Sequence, residues 1–163
     1  MSPRETHPGA MVARELERYA ARGTFHGLRR EAMGDGRAAF RVVWHHGREF
    51  QIVADPRRRR IRIPVVLPNV PPGSAMDREL RTFVRYRHSE VPPEHRRIDP
   101  VRAEVRVFNR GGNLALTLEV RDGGWEYGVR KLIHLVHEIF LDFLYDGRWR
   151  EYMVAELDLP PDA

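Results

Sequence analysis

At 163 residues with no cysteine, the chain is long enough for one hydrophobic core and short for two, and it offers no disulfide framework, thiolate metal site or thiol nucleophile. Hydrophobic content of 42% against 31% charged residues argues against wholesale disorder. A formal net charge of +5 and a pI near 10.2 suggest a polyanionic partner, but arginines and acids alternate along the whole chain, so the charge is dispersed rather than gathered into a basic tail.

Residues 1–9 read as a loose start without the apolar stretch of a signal peptide. No run approaches the roughly eighteen apolar residues of a membrane span, so the expectation is one cytoplasmic domain over 1–163, with no membrane contact. From Ala10 to Arg22 the positions Val12, Leu16, Tyr19 and Ala20 share one helical face, and Gly23 stands where a left-handed cap ends the helix. A strand meander follows. Residues 25–32 are a weak candidate, "AAFRVVW" (38–44) a better one, and in "EFQIVA" (49–54) Phe50, Ile52 and Ala54 alternate with Gln51 and Val53. "DPRR" (55–58) is a turn, because Pro56 presets its own φ and Asp55 can bond the local backbone. "RRIRIPVV" (59–66) closes the series, and the short spacing implies antiparallel hairpins.

A proline-rich connector, "LPNVPPGS" (67–74), leads to Ser74, which caps a helix with Met76, Leu80, Phe83, Val84 and Arg87 on one stripe. "RAEVRVF" (102–108) and "LALTLEV" (114–120) alternate cleanly and form one hairpin about "NRGGN". A long helix runs from Trp125 to Asp146, centred on Trp125, Val129, Leu132, Val136, Phe140 and Phe143 and ended by Gly147. Residues 148–163 supply a short helix and a tail. The fold class is therefore α+β: a twisted antiparallel sheet of five or six strands with helices on one face, in the order α-β(3–4)-α-β-β-α.

That order, and above all "LTLEVRDGGWEYGVRKLIHLVHEIF" with its strand, short turn and long closing helix, resembles the YbjN-like and type III secretion chaperone-like fold group over roughly residues 10–146. A fourth strand before the middle helix would depart from the group's usual three. The resemblance implies a small, often homodimeric, non-catalytic domain that binds other protein segments. It carries no motif and hence no functional residues.

Three features compete for a site. In the strand after "DPRR", Arg58, Arg60, Arg62 and Pro64 project to one side and Arg59, Ile61, Ile63 and Val65 to the other. Pro64 cannot donate to a ladder, which suggests an edge strand protected by charge. The alternative is an anion-binding hairpin of Arg58, Arg60 and Arg62, taking RNA, DNA or an acidic protein. No aromatic residue interleaves these arginines, which lowers the nucleic-acid share.

"HLVHE" (134–138) has neither the H-E-x-x-H nor the H-x-x-E-H spacing of a zinc helix. His134 and Glu138 read instead as a surface pair, and "HH" (45–46) as the flank of a turn. Acyl-transfer and phosphate-loop motifs are missing, and acids such as Asp77 and Glu79 are expected to lack the apolar surroundings that raise a pKa. No catalytic residue, metal ligand or cofactor is expected. The third feature is an outer stripe on the long helix, Tyr127, His134, Leu141 and Tyr145, whose near-heptad spacing suggests a homodimer or docking seam. The leading expectation is a chaperone- or adaptor-like protein-binding domain. The alternatives are a nucleic-acid-associated protein, and a small-ligand cup between sheet and closing helix.

Overall fold

The computed structural model describes residues 7–158, so most of the expected loose start and the end of the tail lie outside the described residues. Helix α1 (Pro8–Ala21) begins earlier than the pattern suggested, with Pro8 in its first turn and the His7 ring accepting from the Gly9 N–H. Gly23 follows its end at φ +78°, the left-handed conformation that its position predicts. Four strands then meander, β1 (His26–Ala32), β2 (Ala38–Trp44), β3 (Arg48–Asp55) and β4 (Arg60–Leu67), so the weak candidate at 25–32 is a strand. Helix α2 (Ala75–Arg87), capped by Ser74, crosses to the hairpin β5 (Ala103–Arg110) and β6 (Asn113–Val120). Helix α3 (Gly124–Glu138) runs on through a π turn (Ile139–Phe143) and a 3-10 turn to Gly147, and α4 (Arg150–Leu157) follows.

All six strands join one antiparallel sheet in the order β1-β2-β3-β4-β6-β5. The alternation in each strand sorts its side chains. Phe40, Val42, Phe50, Ile52, Ile61, Ile63, Leu116 and Leu118 are all buried under the helices, whereas Arg41, Gln51, Arg60, Arg62, Arg106 and Thr117 take the opposite parity. Helix α3 packs against β4, β5 and β6, and α1 against α3, β1 and β3, while α2 lies along β5. The approach of α3 to the sheet is close at Gly128, where a Cβ would stand 2.9 Å from Leu118 Cδ2.

The edge assignment for β4 is corrected: the strand lies inside the sheet, between β3 and β6. Proline is tolerated there because the ladder opens around it. Pairing with β3 covers only Asp55↔Arg60, Ala54↔Ile61 and Val53↔Arg62, and the register with β6 shifts between Ile63 and Leu67. The true edges are β1 and β5, and α2 side chains cap β5. His88 Nε2 accepts from the Val105 N–H at 3.0 Å, and Arg81 Nη1 donates to the Val107 carbonyl at 2.9 Å.

Candidate binding face

With the helices gathered on one side, the other side of the sheet is uncovered, and its twist makes a concave groove of about 680 Å³. Six arginines line it against three carboxylates, and Val53, Pro64 and Phe108 add apolar floor. A second cavity of about 440 Å³ shares Glu104, Arg106 and Phe108 with the first and reaches over β5 to Arg85 and His88. Neither lies between the sheet and α3, where the buried side chains of both layers meet. These positions do not form the small-ligand cup considered from the sequence.

The carboxylates of the groove are already engaged. Asp55 holds Arg58 at 3.0 Å and also accepts from the Arg58 backbone N–H, stitching the turn as its sequence predicts. Arg121 reaches Glu104 at 2.6 Å and Glu119 at 3.1 Å, and Arg106 sits 3.4 Å from Glu104. Arg37 is paired with Asp35 at 2.7 Å. Among the described residues, no ion pair or hydrogen bond from a side chain of Arg60, Arg62 or Arg110 is found. Burial, and after it the facing charge of Arg110, push the Arg62 guanidinium below its ordinary value. Of the arginines singled out in the sequence, Arg60 and Arg62 thus stand uncompensated on the floor, while Arg58 is tied into its turn. Arg59 turns away, at φ +53°, and donates to the Val120 carbonyl at 3.2 Å. Arg106, Arg110 and Phe108 belong to this face and were not singled out. Their outward parity in β5 was legible, but not that the β5–β6 hairpin docks beside β4.

The helical stripe does not hold together. Tyr127 is buried, its hydroxyl accepting from the Asp99 N–H at 3.0 Å and its ring lying 3.8 Å under the Arg102 guanidinium. His134 meets Tyr19 of α1 edge-on at 6.5 Å. Leu141 and Tyr145 are half-exposed, at 49% and 50%. The π turn adds a residue to the local repeat and rotates these last two away from the seam that heptad spacing assumed.

Glu138 is likewise no surface partner of His134. It reaches inward to Arg87 of α2, a pair whose side chains are only 16% and 7% exposed. His45 and His46 form the turn itself, with φ of +29° and +59°, and the His45 ring stacks on Phe140 and on Trp44, 4.4 Å from each. Asp77 is buried rather than solvated. Burial alone would raise its pKa, but hydrogen bonds from Arg81, Asn109 and the Gly73 N–H outweigh that and hold it low. Among the described residues no three His, Asp or Glu side chains are placed to hold a metal, and no helix is long and apolar enough to cross a membrane.

The arrangement defines a class, an α+β domain with a one-sided helical layer and an open, arginine-lined sheet face. No protein-family model matches the chain, and no curated protein or solved structure matches it.

Proposed function

We propose that the chain is a small non-catalytic protein-binding domain, chaperone- or adaptor-like, that receives its partner on the uncovered face of the sheet. The observation that carries this reading is the groove of about 680 Å³ whose floor combines uncompensated arginines with Val53, Pro64 and Phe108. An antiparallel sheet can leave one face to water, but a water-facing surface has no need to be concave, partly apolar and rich in unpaired charge. The order of helices and hairpins is the one on which the chaperone-like resemblance rests, and the four strands before α2 depart from that group's usual three.

Self-association through α3 is the weaker reading. With Tyr127 buried it rests on His134, Leu141 and Tyr145, and three side chains fall far short of the ~800 Å² per partner of a standard interface.

A photo-crosslinking residue placed at Phe108, and separately at Tyr145, in the full chain tests the proposal. Adducts to a polypeptide from position 108, lost when Arg62 and Arg110 are changed to Gln, are the expected result. Adducts from position 145 alone would move the binding surface to the helix.

A further inference from the structure

We propose that the occupant of the open face is an acidic, extended polypeptide segment reading acid-x-acid-x-apolar, its two carboxylates over Arg60 and Arg62 and its apolar side chain against Pro64 and Phe108. The inference deepens the preceding one and rests on it. Charge supplies the first argument. Each carboxylate of the groove is already neutralised by neighbouring arginines, Asp55 by Arg58, and Glu104 and Glu119 together by Arg121 and Arg106. The charges left over are all positive, and all lie on β4 and β5. An incoming carboxylate therefore meets arginines that break no existing pair to receive it, and a guanidinium can take it with two parallel hydrogen bonds.

Spacing supplies the second argument. Arg60, Arg62 and Pro64 are successive outward positions of one strand, so they repeat every ~6.6 Å. An extended chain presents every second side chain at the same interval, which matches acid, acid and apolar residues to that row. Only β6 separates β5 from β4, and the register sets Arg106 in one row with Arg62 through Thr117, about 10 Å across the floor, while Arg110 lies further along β5 with its charge still felt at Arg62. Phe108 pairs with Ala115 of β6, a residue too small to cover the ring, and is 43% exposed.

Nucleic acid fits less well. Among the described residues, Phe108 is the only aromatic one in the groove, where single strands need a series of stacking platforms.

The test uses the full chain and three synthetic peptides of equal length. They carry Glu, Ser or Lys at two alternate positions ahead of a Leu, and a single-stranded RNA oligomer serves as a fourth probe. Amide chemical shifts locate each probe and titration gives its affinity. The expected result is that the Glu peptide shifts Arg60, Arg62 and Arg110 and binds at least about tenfold tighter than the Ser or Lys peptide. An Arg62→Gln/Arg110→Gln variant, shown to be folded by an unchanged thermal melt, should lose about tenfold. Arg60→Gln is the substitute should that pair fail to fold.

If the Ser or Lys peptide binds this face as tightly as the Glu peptide, the acidic occupant is wrong while the binding face stands. If no peptide perturbs the face, both are wrong. If RNA occupies the face in preference to the Glu peptide, the partner is a nucleic acid and the polypeptide reading is overturned.

Discussion

Individual side chains show how burial tunes charge in this protein. His88 accepts the Val105 N–H on Nε2, so its proton sits on Nδ1 and faces the Val84 carbonyl at 2.9 Å. Protonating Nε2 would break the cap on β5, and burial, as the leading cause, pushes this imidazole below its ordinary value. His45 is pushed further, to about 4, first by burial under Phe140 and Trp44 and then by the nearby His137, His46 and Arg48.

Above pH 6.5 His45 is neutral in both folded and unfolded chains, and stability is complete. Between about 6.5 and about 4 the unfolded chain binds more protons, so stability falls as pH falls, and it levels off below about 4. Screening at this partly exposed ring reduces the effect to about 1–2 kcal/mol. Urea titrations across that range should show the loss, and His45→Asn, which tolerates positive φ, should flatten it while lowering stability at neutral pH. The Arg87–Glu138 pair makes a second prediction. Arg87→Leu leaves a half-buried carboxylate without its ion pair and should cost about 1–3 kcal/mol at pH 7, whereas Arg87→Leu with Glu138→Leu should recover most of it. A double-mutant cycle in urea measures the coupling. Equal losses in the single and double variants would mean that the pair is solvated.

At the scale of elements, periodicity read the faces of the strands correctly and their neighbours incompletely. A period of two told which side of β4 carries Ile61 and Ile63, but not that β6, more than fifty residues later, lies beside it. Pro64 suggested an edge because proline lacks a ladder donor, and a local bulge satisfied the same constraint inside the sheet. On α3 a single inner face was assumed, whereas the helix is covered by the sheet, by α1 and by the segment around Asp99. Tyr127 and Glu138 are therefore inside, and no helical wheel drawn for one buried face could place them there. The π turn was invisible to a pattern counted in heptads. With Tyr127 withdrawn from the stripe, the expectation for Leu141→Glu with Tyr145→Glu is an unchanged sedimentation coefficient at neutral pH and a stability within about 0.5 kcal/mol of the parent. A shift to a smaller species would restore the helix as a contact surface.

For the whole molecule, what matters is the asymmetry of the layers. One face of the sheet is spent on the core, under α1 and α3. The other is left concave, with its acids engaged and three of its arginines unpaired. Part of this was legible, since Arg60 and Arg62 were recognisable as a possible anion grip. The groove emerges only when β5, with Arg106, Phe108 and Arg110, is docked across β6.

The central claim is that this face holds a polypeptide by charge. Its most direct test is a fluorescence-anisotropy titration of the full chain with a labelled acid-x-acid-x-apolar peptide, at low and high salt, for the parent and for Arg62→Gln/Arg110→Gln. The account predicts saturable binding that weakens about tenfold, or ~1.4 kcal/mol, in the variant. The parent should also lose affinity with salt, as screening of exposed charges requires. A variant that binds as tightly as the parent, or an affinity indifferent to salt, would contradict it.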